Sequence, residues 1–256
     1  MREAIQSVLK SAGLELRRIH TSTPGTAQRP LGDLACFLED VKSRRFEPKV
    51  ILDIGANQGN WTRAVHPIFP AAKYFLFEPV ALFAGQLKEV CDQLGVQYLP
   101  VGVSDSDAVI EMNEITVAES GGGTPGSTFM AGSHDARYAA KKVPVQVRSL
   151  DSLVTAKEIP MPDLVKIDVE GYELPVLKGA QSLLGPVEMF LIELSLYSFW
   201  KQPIFHEVVA WLAERGYVLY DLAGFNRRPR DGALGQVDAC FVKTSSPLRR
   251  PGGWDD

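Results

Sequence analysis

The stretch VILDIGANQGNW, residues 50–61, decides how the rest of the chain is read. Val50, Ile51, Leu52 and Ile54 suit a buried strand, Asp53 interrupts them, and the run ends in a turn flanked by Gly55 and Gly59. Glycine permits positive φ and close backbone approach, and the helix predicted to follow presents unpaired N–H groups at its start. In an open α/β sheet ligands sit beyond the carboxyl ends of the strands, where strand order reverses, so this turn is the first candidate for a binding site. Its spacing, D-x-G-x-x-x-G with Asp53 in front, is not the dinucleotide fingerprint G-x-G-x-x-G, and no GK[ST] follows to make a phosphate-cradling loop.

Outward from that turn, short β-rich runs alternate with helical patterns from residue 44 onward, the signature of a sheet with crossover helices. Strand-like runs cover Val50–Ile54, Tyr74–Phe77, Gln97–Val101, Leu164–Asp168, Glu188–Glu193, Tyr217–Asp221 and Asp238–Val242. Helical patterns cover Asn60–Ile68, Ala81–Leu94, Glu173–Leu184 and His206–Arg215, the last stopped by Gly216. The fold class expected is α/β, a Rossmann-like seven-stranded, mostly parallel sheet flanked by helices. Residues 106–148 interrupt the alternation after the third core strand, where VIEMNEI and KVPVQVRSL read as an inserted β-hairpin around a glycine-rich loop, residues 119–140. Loops of that length are usually functional or disordered, so a lid over an acceptor and a passive surface loop both remain open. Residues 1–43 read as a helical extension with Ile5, Val8, Leu9, Ala12 and Leu16 at helical spacing, suited to packing on the domain, to a homodimer contact or to a membrane surface. The α/β domain then spans 44–245, and 246–256 reads as a flexible tail.

Composition narrows the function classes. A chain of 256 residues with 45% apolar and 23% charged content buries a full core, and its net charge of −4 argues against nucleic acid or anionic lipid held by bulk electrostatics. Three scattered cysteines, Cys36, Cys91 and Cys240, show no disulfide or zinc spacing. With no long apolar run and no signal-peptide pattern at the start, a cytoplasmic location and no stable membrane insertion are expected.

The second strand run ends FLFEP, placing Glu78 where a carboxylate accepts hydrogen bonds from both hydroxyls of a ribose. The third finishes VGVSD, with Ser104 and Asp105 placed to meet the edge of a base. LDIGANQGNWT, FLFEP, VGVSD, LVKIDVEGYELPVLKGA (164–180) and FLIELS together resemble the FkbM-like family of class I S-adenosylmethionine-dependent methyltransferases, over residues 49–243. That resemblance implies S-adenosyl-L-methionine as cofactor and one antiparallel strand near the end of the sheet. It implies that Gly55, Asn57 and Gly59, with Asp53 in the same turn, line the methionine and ribose, that Glu78 takes the ribose hydroxyls, and that Ser104 and Asp105 lie by the adenine. It also implies that Asp168 stands near the methionine amino group and the transferable methyl.

Chemistry is expected at the fourth and fifth strand ends. KIDVEGYE sets Lys166, Asp168 and Glu170 at period-two spacing, and Glu193 closes FLIELS on the neighbouring strand. Asp168, Glu170 and Glu193 are the catalytic candidates, since methyl transfer to an alcohol needs a group that orients the hydroxyl and takes its proton. The same acids suit Mg²⁺, or caps for the helix near Glu173; the metal-free reading is preferred because no further oxygen ligand stands at a recognisable spacing. Tyr197, Phe199, Trp200 and Phe205 form either an apolar wall or a buried cluster, and His206 is either a base or an exposed helix-start histidine. The acceptor implied by the resemblance is a small molecule with a free hydroxyl, a sugar or secondary metabolite. Competing readings are an NAD-dependent oxidoreductase, a binding module that keeps the fold without turnover, and N-methylation of another substrate class.

Overall fold

The computed structural model describes residues 32–116, 139–198 and 201–249. The opening amphipathic stretch, nearly all of the expected lid, Phe199, Trp200 and the last residues lie outside the described residues. Six α-helices are described: α1 Leu34–Ser43, α2 Asn60–Val65, α3 Ala84–Leu94, α4 Leu150–Thr155, α5 Glu173–Lys178 and α6 Phe205–Ala213. The strands are β1 Val50–Ile54, β2 Lys73–Phe77, β3 Gln97–Leu99, β4 Gly102–Val103, β5 Ala108–Thr116, β6 Ala139–Arg148, β7 Leu164–Ile167, β8 Met189–Ser195, β9 Tyr217–Arg227 and β10 Leu234–Lys243.

Seven of them form one sheet in the order β3-β2-β1-β7-β8-β10-β9, with β10 antiparallel to both neighbours and the remaining pairings parallel. Both faces of the central strands are covered, so alternate residues enter different cores. Leu52, Ile54, Phe75, Phe77, Val165 and Ile167 pack on one side with Leu153, Val176 and Leu177. Ile51, Tyr74, Leu76 and Leu164 pack on the other with Phe37, Leu38, Val65, Leu87 and Val90. This double burial is why the β1 and β7 segments are apolar apart from the buried Asp53 and Lys166. The chain moves outward through β2 and β3, then returns to add β7 on the opposite side of β1. The reversal point therefore lies between the carboxyl ends of β1 and β7.

Several expected boundaries need correction. The domain begins before residue 44, because Phe37, Leu38 and Val41 of α1 are at most 1% exposed in the sheet core; burying each is worth about 1.5–3 kcal/mol. The start of the expected tail is not free, since Ser246 and Leu248 are buried and the Thr244 N–H donates to the Gly216 carbonyl. The third strand stops at Leu99 rather than Val101, since Pro100 has no N–H to continue the ladder. Gly102–Val103 pairs instead with β6, so the inserted hairpin β5–β6 forms a separate three-stranded sheet with β4. The run read as strand through Leu150 ends at Arg148, and α4 begins there because Ser149 caps it, its Oγ accepting from the Ser152 N–H at 3.1 Å.

Candidate active site

The turn after β1 is fixed from three sides. Gly55 has φ +77°, and a Cβ there would stand 1.8 Å from the Asp168 carbonyl oxygen, so only glycine lets β1 and β7 end side by side. The Gly55 and Ala56 N–H groups both donate to the Phe77 carbonyl at 3.0 Å, and the Asp168 N–H donates to Ile54 at 3.0 Å. Beneath the turn Asp53 is fully buried. It accepts from Thr62 Oγ1 at 2.7 Å and pairs with Lys166 Nζ at 3.1 Å, its register partner on β7. Lys166 Nζ also donates to the Gly55 carbonyl at 3.0 Å and lies 3.4 Å from Asp168. Burial pulls the Lys166 ammonium down, but the Asp53 and Asp168 carboxylates more than offset it, and its pKa is raised.

Glu78 joins this frame from the end of β2. One carboxylate oxygen accepts the Asn57 N–H at 2.8 Å and the other the Val80 N–H at 2.9 Å. Burial nevertheless raises its pKa, those two N–H groups opposing the shift. Each oxygen keeps a second lone pair for a further donor. Ser104 is buried, with its hydroxyl 3.3 Å from the Tyr172 hydroxyl on the loop after β7, while Asp105 is exposed.

Across the reversal point the carboxylates crowd. One oxygen each of Asp168, Glu170 and Glu193 lie within 4.8 Å of one another. Asp238 on β10 is the register partner of Glu193, and Glu173 stands below on α5. Burial first, then the Asp168 charge, pushes Glu170 to about 8 and Glu193 to about 10. Burial raises Glu173 to about 7 although its carboxylate accepts the Gly171 N–H at 2.9 Å. Asp238 is raised for the same reasons as Glu193. Glu193 is held by Gln236 Nε2 at 2.9 Å and Asn226 Nδ2 at 3.4 Å. Glu170 itself has φ +52°, an uncommon conformation for a residue with a Cβ.

The structure thus brings Gly55, Asn57, Glu78 and Asp168 together around one turn, and Asp168, Glu170 and Glu193 into one cluster. Asp53 differs from expectation: at 0% exposure and with Thr62 and Lys166 as partners, it shapes the turn rather than meeting a ligand. Capping of α5 by Asp168 or Glu170 is also corrected, since no side chain caps that helix and Glu173 folds back onto the Gly171 N–H instead. His206 is exposed, and Tyr197 is 38% exposed rather than buried in a cluster. Asp238, Gln236 and Asn226 were not singled out by the sequence, and Lys166 was named there without its ion-pair role. Only Lys166 carried a signal, its period-two spacing from Asp168; the others depend on antiparallel register.

Residues 53–219, more than half of the chain, match the family described as the Methyltransferase FkbM domain. The hexuronic acid methyltransferase AglP of Haloferax volcanii is 30% identical over 152 residues, covering 58% of this chain and 56% of AglP. The 2-O-methyltransferase NoeI of Sinorhizobium fredii is 26% identical over 179 residues, covering 66% of this chain and 72% of NoeI. The chain therefore spans little more than half the length of the first of these relatives. Among solved structures, methyltransferase FkbM from Methylobacillus flagellatus KT aligns over 76% of this chain and 43% of its own, with a TM-score of 0.48 and 14% identity. The 1,6-didemethyltoxoflavin-N1-methyltransferase of Burkholderia thailandensis, solved with S-adenosylhomocysteine, aligns over 95% and 87%, with a TM-score of 0.44 and 15% identity.

Proposed function

The chain belongs to the FkbM methyltransferase domain family, and from that premise we propose that it methylates a hydroxyl of a small sugar, with S-adenosyl-L-methionine as donor. When bound, the cofactor supplies an electrophilic methyl group. The residues present fit it: Gly55 lets β1 and β7 end side by side at the reversal point, and Glu78 is buried with one lone pair per oxygen still available for a ribose diol. The sugar acceptor is supported by two relatives whose names specify hexuronic acid methylation and 2-O-methylation.

One observation carries the reading: ionisable carboxylates with raised pKa values stand beside the cofactor turn. A hydroxyl bound there loses its proton as the new C–O bond forms, and a base near neutrality accepts it best. Of the clustered Glu170 and Glu193, Glu170, at about 8, is nearer that range, while Glu193, at about 10, keeps its proton near pH 7 and donates a hydrogen bond that orients the acceptor; Glu173, at about 7, is turned onto the Gly171 N–H. Asp168, tied to Lys166, holds the cluster against the turn. Three cysteines without disulfide or zinc spacing suit a reducing cytoplasm, and no described helix is long and apolar enough to cross a membrane.

A second reading has its own observation. Oxygens of Asp168, Glu170 and Glu193 within 4.8 Å of one another also form a ligand set for a hard divalent cation, which would lower the acceptor's pKa directly. Incubation with methyl-labelled cofactor and a panel of sugars, followed by mass spectrometry, tests both. A labelled methyl ether formed in EDTA supports carboxylate base catalysis; a methyl ether formed only with added Mg²⁺ supports the cation. Cofactor binding without transfer to any sugar would contradict the proposed reaction.

A further inference from the structure

Four neighbouring strands carry a row of groups that face the same way. The β7–β8 register sets Lys166 beside Leu191 and Ile167 beside Ile192, so one step further Asp168 stands beside Glu193. Glu193 is the register partner of Asp238 on β10, and Asp238 is that of Gly224 on β9. Successive strand residues point to opposite faces. Ile192, Leu194, Val237 and Ala239 enter one core and Leu191 and Cys240 the other, so Glu193 and Asp238 project from the face of Leu191 and Cys240. Asp168, Glu193 and Asp238 therefore stand side by side on strands about 4.8 Å apart, beside the cofactor turn.

Asp238 differs from its neighbours in two ways. Asp168 pairs with Lys166, Glu193 accepts from Gln236 and Asn226, and Glu173 accepts from Gly171. Among the described residues no N–H or O–H donates to the Asp238 carboxylate, although it is partly buried and feels the Asp168 charge. An acceptor withdrawn from water without a donor is unfavourable until one arrives. The second difference is its seat. A Cβ at Gly224 would stand 1.9 Å from one Asp238 carboxylate oxygen, so the carboxylate leans over β9 into space that any other residue would fill. It thereby stands apart from Asp168, Glu170 and Glu193, whose oxygens lie within 4.8 Å of one another. Glu193 keeps its proton and Asp238 lacks a donor, so these two neighbours offer one hydrogen-bond donor and one open acceptor. Hydroxyls on adjacent carbons of a sugar ring match that pair, one accepting from Glu193 and the other donating to Asp238.

We propose that Asp238 accepts a hydrogen bond from the hydroxyl next to the one that is methylated, so that the site selects sugars carrying a vicinal diol. This rests on the sugar O-methylation reading and narrows its acceptor. Calorimetry on the full chain saturated with S-adenosylhomocysteine tests it without requiring turnover, using p-nitrophenyl glucoside and its 2-, 3- and 4-deoxy analogues as probes. Deoxygenation at two neighbouring positions should each weaken binding by about tenfold, the loss of a hydrogen bond to an ionisable group. Asp238→Ala should abolish that penalty at one of the two positions and keep it at the other. Gly224→Ala, whose methyl group takes the place of the carboxylate, should abolish the same one, with S-adenosylhomocysteine affinity as the check on folding. Penalties unchanged in both variants overturn the proposal, as does a parent sugar that binds no better than its deoxy analogues. Methyl transfer to a sugar with the penalties unchanged would keep the reaction and remove the diol site. A penalty lost in both variants without methyl transfer to any sugar would instead leave the diol site standing and remove the proposed reaction.

Discussion

At the ends of β1 and β2 each charged or turn-forming group meets a partner: Asp53 has Thr62 and Lys166, Glu78 has two backbone N–H groups, and both N–H groups after Ile54 share the Phe77 carbonyl. At the ends of β7, β8 and β10 the balance is reversed. Asp168, Glu170, Glu193 and Asp238 gather with Glu173, and Lys166 is the one ammonium bonded to the group among the described residues. The first region is satisfied and therefore rigid, as the cofactor site proposed there requires. The second stores like-charge repulsion and desolvation, which is how a carboxyl group is brought to a pKa useful near neutrality. Lys166 and the Gly55–Asp168 contact join the two.

The hardest way to break this division is at the junction. Gly55→Ala puts a methyl group 1.8 Å from a backbone oxygen at φ +77°, so chemical denaturation should show a loss on the order of 4 kcal/mol or more. A loss below about 1 kcal/mol would mean that β1 and β7 separate readily and that the turn is not the fixed element described. A smaller effect sharpens the contrast from the acidic side. Glu173 and Glu170 take up protons on folding because their pKa values rise from 4.5 to about 7 and about 8. The folded state then binds more protons than the unfolded one, so stability present at low pH is lost as pH rises from about 4.5 through about 8. Thermal unfolding of the ligand-free chain should show a lower midpoint at pH 8.5 than at pH 5.5, and Glu170→Gln should reduce the difference. A midpoint that rises over this interval would contradict the crowded-carboxylate description.

The two regions also differ in how far the sequence discloses them. The turn is local: an apolar run, Gly55 and Glu78 lie within 29 residues of chain, and Gly55 and Glu78 each follow a strand whose double burial makes it mostly apolar. The same locality set all seven core strands, with errors where a single residue acts on the ladder, as Pro100 does, or where an edge strand such as β9 mixes exposed and buried positions. Asp168, Glu170 and Glu193 were legible from two strand ends. Asp238, Gln236 and Asn226 were not, because they reach Glu193 through antiparallel pairings with register shifts at three places between β9 and β10. Asp53 was legible as a motif residue and not as a buried partner of Lys166, a pairing made across β1 and β7 at a separation that no local spacing encodes.

The division of labour is tested most directly in one variant by two measurements. Glu170→Gln changes a carboxylate of the crowded side and leaves the turn, Glu78 and Lys166 intact. Calorimetry should give S-adenosylhomocysteine an affinity within about threefold of the natural chain, about 0.7 kcal/mol. Single-turnover methyl transfer to a sugar acceptor should be slowed by about 100-fold or more, the usual effect of losing a general base. Unimpaired transfer in this variant, or loss of cofactor affinity with the transfer rate retained, would contradict the account.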